Sequence, residues 1–190
     1  MKKVILALLA AVALPFAAQA QVVDAVQADG FGLKLVYPAV HAENAKAQEM
    51  INKDIAAYVD GMKAKYDARK NVSMSYAAKF EDEKYVSLVM STSVMEQGAA
   101  NPENFEHGVV YSKVTGERVP LGRFARVKNV NALVKNLKKG AWKLYNQEGK
   151  ALAFSDEFYL ADAKTVAVIY QQGDLAPYSE GAVRVISKRR

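Results

Sequence analysis

Hydrophobic residues follow a two-residue period over much of the chain. Phe31–Tyr37 alternates in this way and predicts a strand that ends at Pro38. Alternating segments on either side of Glu81-Asp82-Glu83 predict a hairpin with a long second strand. The hairpin and the later strands are expected at Val72–Phe80, Tyr85–Met95, Phe105–Lys113, Phe158–Leu160, Thr165–Tyr170 and Ala182–Ser187.

Two segments follow the helical period instead. From about Asn44 to Ala68 the apolar residues form one stripe, and Asn44 is suited to cap the first turn. A second helix is expected from about Asn129 to Asn146. The order strand–helix–strands therefore occurs twice. This pattern predicts an α+β fold in which two helices pack on antiparallel sheet.

The first twenty residues have the pattern of an export signal. Lys2 and Lys3 precede the apolar run Val4–Leu14, and Ala18-Gln19-Ala20 gives a cleavage pattern of small residues. Because this run is too short to anchor the chain well, and no later segment is longer, we expect a protein that does not span a membrane. Residues 21–190 are then a periplasmic or secreted domain, built as one unit or as two closely packed halves at about 29–95 and 105–187.

Composition and charge narrow the partners. The chain has no cysteine, which excludes disulfides and thiol chemistry. Residues 21–107 carry 9 Lys and Arg against 13 Asp and Glu, whereas residues 108–190 carry 15 against 7. Because an exported protein is separated from nucleic acid, the expected partners of the basic half are anionic glycans or lipid head groups of the envelope.

Five stretches carry a resemblance to a known family. They are "VYPAV" with "INKDI", "GAANP", "SKVTGERVPLGRF" and "FYLADAKTVAVIYQQGDLAPYSEGAVRVI", which together span about residues 31–187. The chain resembles the extracytoplasmic domain family of the anti-sigma factor RsiV, which also precedes the catalytic domain of the deacetylase PdaC. The resemblance implies a binding or accessory module rather than an enzyme. It also implies a partner class, lysozyme-like proteins or peptidoglycan.

The residues offer little catalytic chemistry. His41 and His107 are the two histidines, and no HExxH, GxSxG or SxxK motif is present. We therefore expect no catalytic residue, no metal site and no cofactor. The alternative is a small cell-wall glycan hydrolase or deacetylase that uses a carboxylate beside one of these histidines.

Two segments are candidate binding surfaces, each with a plainer alternative. The loop after the long strand combines acidic and turn-forming residues on a rigid scaffold, and it suits a basic protein unless it is simply a solvated loop. The second helix places Trp142 beside Lys138 and Lys139, which suits an anionic glycan unless the tryptophan only borders the core. The candidate residues of the loop are Glu96, Gly98, Asn101, Glu103, Asn104 and Glu106.

The stretch "LAPYSEG" interrupts two strand-like segments. Pro177 cannot donate to a strand ladder, and Gly181 suits a positive φ. A tyrosine at such a corner folds back to bond a backbone carbonyl when the ring is buried. We therefore expect Pro177, Tyr178 and Gly181 to be a structural joint, with a buried tyrosine worth about 2–4 kcal/mol to stability.

Overall fold

Two β-sheets and two helices are formed by the residues that the computed structural model describes, namely 22–29, 32–67, 69–127, 129–140, 142–144 and 155–190. This confirms the predicted α+β class. The export signal expected at residues 1–20 lies outside the described residues.

The first sheet has five strands in sequence order. Helix α1 (Ala45–Lys63) crosses over between the second and third strands. Those two strands pair in parallel over Leu33–Leu35, whereas their neighbours pair antiparallel, so the expectation of purely antiparallel sheet is wrong at this one pair. A helical crossover returns the chain in the same direction and so permits parallel pairing. The strands are β1 (Val22–Asp29), β2 (Leu33–Val40), β3 (Lys70–Glu81), β4 (Tyr85–Glu96) and β5 (Glu103–Ser112).

Strand β2 continues through Pro38 to Val40, which corrects the predicted end at Pro38. On one side Pro38 lies opposite Asp24 of β1. On the other side β2 pairs with β3 only as far as Leu35, so no strand there needs a donor from Pro38. The edge beyond is closed by Asn52 of α1, which bonds both the N–H and the carbonyl of Val40.

Helix α1 covers one face of this sheet. Asn44 caps it as predicted, because its side chain accepts hydrogen bonds from the N–H groups of Lys46 and Ala47. The helix ends at Lys63, five residues before the predicted end. Its buried stripe packs on alternate residues of the strands to form the first core, which includes Ile51, Ile55, Val59, Leu35, Leu88, Met90 and Tyr111.

The second sheet has the strand order β6-β9-β8-β7. A 3-10 turn at Leu121–Arg123 and helix α2 (Val130–Lys138) lie on its apolar face. The second core contains Leu133 of α2, Phe124 after the turn, and Val110 of the first sheet. The strands are β6 (Trp142–Leu144), β7 (Phe158–Leu160), β8 (Thr165–Tyr170) and β9 (Val183–Lys188).

Helix α2 is half as long as predicted. Asn129 accepts a hydrogen bond from the N–H of Ala132, so the predicted start is sound. The helix ends at Lys138, and Gly140 has φ 68°. A positive φ at a glycine just past the last turn is a usual helix stop, and it redirects the chain into β6. Trp142 therefore belongs to a strand rather than to the helix.

Strand β5 joins the two sheets. It pairs with β4 along its whole length, so it belongs to the first sheet rather than opening a second half at residue 105. The N–H of Leu160 in β7 donates to the buried hydroxyl of Ser87 in β4 at 2.8 Å. Gly108 of β5 lies so close to Phe158 that an added Cβ would be 2.7 Å from the Phe158 carbonyl oxygen. The two predicted halves thus share a strand.

Candidate functional site

The loop that follows β4 and the corner that follows β8 meet at one end of the molecule. The Tyr178 hydroxyl donates to the carbonyl of Pro102 at 2.8 Å. Gln172 accepts from the N–H of Asn104 at 3.2 Å and donates to the carbonyl of Tyr178 at 2.7 Å. Segments that are almost seventy residues apart therefore form one hydrogen-bonded unit, which we call the loop–corner surface (residues 96–106 and 171–181).

Gln171 fixes this surface to the edge of β5. Its side-chain amide accepts from the Glu106 N–H at 2.9 Å and donates to the Glu106 carbonyl at 2.8 Å. The amide thereby satisfies both backbone groups of an edge residue, as a neighbouring strand would. Gln171 and Gln172 are not among the predicted site residues, although an adjacent pair of glutamines directly after a buried strand is a usable signal.

Glu106 is not an exposed docking residue. Its carboxylate pairs with the guanidinium of Arg184 on β9, and both side chains are largely covered. Burial lowers the pKa of Arg184, but the hydrogen bond and the charge of Glu106 raise it further, and the net direction is upward. The pair links the two sheets, so Glu106 has a structural role in this arrangement.

The backbone of the corner has the predicted conformation, but Tyr178 is more exposed than predicted. Pro177 is extended, Tyr178–Glu180 form a 3-10 turn, and Gly181 has φ 70°, as expected for a glycine that returns the chain to a strand. The predicted carbonyl bond of Tyr178 is present. The ring, however, is 44% exposed, which corrects the expectation of a buried tyrosine. Leu175 and Ala176, just before the corner, are the residues that reach the core.

The predicted loop residues lie along the rim of the loop–corner surface. Glu96, Gly98, Asn101, Glu103 and Asn104 are all exposed, and Gly98 has φ 86°. Glu96 lies opposite Lys70 in the β3–β4 ladder, and Gln97 donates to the Arg69 carbonyl. Cations therefore flank the Glu96 side of the loop, and the negative charge is stronger toward Glu103.

His107 lies in a second polar cluster, between α1 and the segment before β7. Its Nδ1 is 2.8 Å from a Glu157 carboxylate oxygen, which also accepts from the Gly108 N–H at 2.9 Å. The imidazole stacks on Tyr58 with ring centroids 4.5 Å apart. Burial raises the pKa of Tyr58 and the charge of Glu157 adds to it, although Thr92 opposes them. The other nitrogen, Nε2, is buried and has no hydrogen-bond partner among the described residues.

A third group of charges links α1 to β5. The Asp54 carboxylate accepts from the Tyr111 hydroxyl and from Arg118 Nε, both at 2.6 Å. Burial alone would raise the pKa of Asp54, but the bonds from Arg118 and Tyr111 and the charge of Arg118 lower it overall. Burial and the same hydrogen bond raise the pKa of Tyr111 well above its usual range. These contacts hold a helix against a strand.

The cluster around His107 differs from an ordinary active site because its histidine is not accessible from outside the protein. His107 is 8% exposed, and its free nitrogen is covered, so no substrate atom can reach it in this conformation. His41 lies apart from this cluster, in the exposed segment before α1. Within the described part of the chain, no three His, Cys, Asp or Glu side chains are grouped in a way that would hold a metal ion.

The basic candidates lie away from the loop. Lys138 and Lys139 are exposed at the end of α2, near where β6 begins to pair with β9. The side chain of Trp142 lies outside the described residues, so the predicted pairing of an aromatic ring with these lysines stays a prediction. An open cleft on the first sheet, lined by Lys34, Asn71, Ser73 and Ser93 among others, contains none of the predicted site residues.

Comparison with known proteins identifies the fold. The chain is similar to the crystal structure of a DUF3298 family member from Bacteroides fragilis, with a TM-score of 0.56 and 11% sequence identity over 87% of each chain. The chain has the DUF3298 fold. A DUF3298 family protein from Pseudomonas aeruginosa gives a TM-score of 0.46 at 11% identity over 88% of each chain. No family model and no curated protein matches the sequence.

The DUF3298 fold confirms the resemblance to the RsiV and PdaC extracytoplasmic region at the level of architecture. At 11% identity the similarity concerns the fold and brings no site residues with it. No helix in the described part of the chain is long and apolar enough to cross a membrane.

Proposed function

We propose that this protein is an exported, non-enzymatic binding protein of the cell envelope, in the periplasm or secreted, and that the loop–corner surface is its binding site. The observation that carries the proposal is Tyr178, whose ring is 44% exposed while its hydroxyl is fixed on Pro102. A rigid, exposed aromatic side chain loses little conformational entropy on binding, and tyrosine is enriched among the residues that dominate protein interfaces.

The surroundings of Tyr178 support a protein ligand. The loop and the corner are held by side-chain to backbone bonds and by Leu175 and Ala176 in the core, so the exposed rim is ordered before any ligand arrives. Glu103 in the loop and Glu180 in the corner are both exposed and add negative charge to this surface. A basic partner fits this rim, and the resemblance to the RsiV region supplies lysozyme-like proteins as the class, with peptidoglycan as the other ligand.

The test is the kinetics of binding to an immobilised c-type lysozyme. Exchange of Glu96 and Glu103 for glutamine should slow association roughly 3- to 10-fold at low ionic strength and change dissociation less, because rim charges act mainly on the encounter rate. The difference should shrink at about 0.5 M salt, where the charges are screened. Glu43→Gln with Glu49→Gln is the matched control, since both residues are exposed near the start of α1.

Two results would count against this proposal. If the parent fails to bind lysozyme at micromolar concentration, the partner class is wrong. If both double variants associate at the same rate, the loop–corner surface is not where the partner docks.

The contact between His107 and Glu157 favours a second candidate, a cell-wall glycan hydrolase or deacetylase. A histidine oriented by a carboxylate is a recurring arrangement in acid–base catalysis. Because Nε2 is covered, this function needs a conformation in which the Tyr58 side moves away. Turnover of peptidoglycan or acetylated sugars that His107→Gln abolishes would establish the enzyme. We expect no turnover by the parent.

A further inference from the structure

The fold groups exposed cations near one end of strand β4. The loop–corner surface lies beyond the Glu96 end of this strand, and the aromatic residues Tyr85 and Phe80 mark the other end. Twelve residues of extended strand span roughly 40 Å. Cations gather at the Tyr85 end, and we define the basic end of the molecule as Arg123, Arg126, Lys138, Lys139, Lys164 and Arg190.

Backbone contacts bring these cations together from four separate segments. The Arg190 N–H donates to the Phe124 carbonyl at 2.9 Å, which places the chain end between Arg123 and Arg126. The Arg189 N–H donates to the Lys164 carbonyl at 2.6 Å. Asn136 of α2 donates to the Arg126 carbonyl, and the helix then ends with Lys138 and Lys139. The grouping is thus a consequence of tertiary structure, and no single stretch of sequence contains it.

Arg189 packs on aromatic rings at this end and is not one of its exposed cations. Its guanidinium lies 4.9 Å from the ring centroid of Phe124, 5.4 Å from that of Tyr85 and 5.5 Å from that of Phe80. Cations are attracted to aromatic faces at such distances. Three rings from the β3–β4 hairpin and the segment after the 3-10 turn therefore hold the last residues of the chain in place.

Most cations of the basic end have no carboxylate partner in the described part of the chain, although the charge of Asp162 acts on Lys164 and the turn Glu81-Asp82-Glu83 lies at the same end of β4. Among the described residues, none of the six forms an ion pair with a carboxylate, whereas Arg118, Arg184 and Lys113 nearby in sequence do. Arg123, Arg126, Lys138, Lys139, Lys164 and Arg190 are exposed. Like charges grouped without counter-ions repel one another, and an anionic surface relieves that repulsion.

Two features of the basic end distinguish a membrane from a glycan as its anionic partner. The aromatic rings that a glycan chain would stack on, Phe80, Tyr85 and Phe124, are occupied by Arg189. At the same end the turn after β5 presents Val114, which is 59% exposed, and the N–H of its neighbour Lys113 bonds the carbonyl of Lys84, directly before Tyr85. A group of exposed cations beside an exposed apolar side chain fits a broad anionic surface.

We propose that the basic end docks on the anionic phospholipid head groups of a membrane, which leaves the opposite, loop–corner surface directed away from it. The proposal rests on residues that the proposed binding function does not use. The membrane proposal and the proposed binding function can therefore be tested independently.

Co-sedimentation with vesicles tests the proposal, using protein recovered after export. The parent should bind vesicles containing about 30% phosphatidylglycerol and release them at about 0.5 M salt, but it should not bind pure phosphatidylcholine. The variant with Arg123, Arg126 and Arg190 all changed to glutamine should bind roughly 100-fold more weakly, since each surface cation contributes a factor of about five. The variant with Lys34, Lys53 and Arg69 changed to glutamine is the control of equal charge, since all three are exposed and lie outside the basic end, and it should keep parental affinity within about twofold.

Three outcomes would overturn the proposal. The first is no binding of the parent to anionic vesicles. The second is an equal loss in both triple variants at parental melting temperature, which would mean that net charge alone is sensed. The third is binding to an anionic polysaccharide that excess vesicles fail to compete, which would make a glycan the partner. The Glu96→Gln, Glu103→Gln variant should bind vesicles at least as well as the parent, which separates this result from the test of the loop–corner surface.

Discussion

At the scale of single residues, the backbone conformation of the corner could be predicted from the sequence, whereas the contacts of its side chains could not. Pro177 and Gly181 restrict their own φ, and such local restrictions can be predicted from residue identity. The partner of the Tyr178 hydroxyl is Pro102, 76 positions away, and the exposure of the ring depends on where that loop lies. The contact between His107 and Glu157 was equally out of reach, since the two residues are 50 positions apart.

The exposure of Tyr178 changes the expected cost of removing it. A ring that is 44% exposed contributes less burial than a core tyrosine, so Tyr178→Ala should lower the free energy of unfolding by about 1–1.5 kcal/mol rather than 2–4. Tyr178→Phe keeps the ring and removes only the bond to Pro102, and it should cost about 0.5–1 kcal/mol. Urea denaturation of the three proteins measures both values. A loss above 3 kcal/mol in Tyr178→Ala would restore the interpretation of the corner as a buried joint.

At the scale of elements, periodicity predicted β2, β3 and α1 well because each buries mainly one face. It failed where a single residue overrides the pattern. Gly140 ends α2 although the apolar stripe continues beyond it, and Pro38 stays within β2 because no neighbouring strand needs its missing donor. A sharper reading of Lys-Lys-Gly as a helix stop was available from the sequence. The tolerance of Pro38 was not, since it depends on strand order.

The link between α1 and β5 should make stability depend on pH. The pKa of Asp54 is lowered in the folded protein from its ordinary 3.8, so its contribution is present above that value and is lost as pH falls through the folded pKa. Because the carboxylate is partly exposed, we expect a contribution of about 0.5–1 kcal/mol. Asp54→Asn should therefore be less stable than the parent at pH 6, and the difference should shrink as the pH falls below 3.8 and the folded carboxylate takes up its proton.

Denaturation of both proteins from pH 2 to 7 measures this difference, with Asp60→Asn as the control. Asp60 is on the same helix and pairs with Lys63, but its side chain is 70% exposed. A gap between Asp54→Asn and the parent that stays constant down to pH 2 would show that Asp54 acts through packing rather than charge.

At the scale of the whole molecule, the strand–helix–strands repeat in the sequence suggested two halves, and the structure divides the chain elsewhere. The strand near residue 105 has the pattern of a first strand for the second half. It pairs instead with β4, and its alternate residues enter different cores, with Val109 and Tyr111 in the first and Val110 in the second. A two-residue period shows which residues share a face of a strand, but it does not show which neighbours cover that face. The grouping of cations into the basic end was visible in the sequence only as an excess of bases after residue 108.

Because β5 serves both cores, a change at its contact with β7 should destabilise the molecule as one unit. Gly108→Ala would place a Cβ 2.7 Å from the Phe158 carbonyl oxygen and 2.8 Å from its carbon, and backbone atoms cannot move aside as a side chain does. We expect a loss of about 2–3 kcal/mol, which for a chain of this size lowers the melting temperature by roughly 5–10 °C. Gly122→Ala is the control, since a Cβ there meets nothing within 4 Å, and it should stay within about 0.5 kcal/mol of the parent.

Trp142, the one tryptophan, lies in β6 and reports on the second sheet, whereas far-ultraviolet circular dichroism reports on all secondary structure. The two signals should shift together in Gly108→Ala, because a strand shared by two cores couples their unfolding. Fluorescence and dichroism midpoints that separate in this variant would show instead that the second sheet unfolds independently.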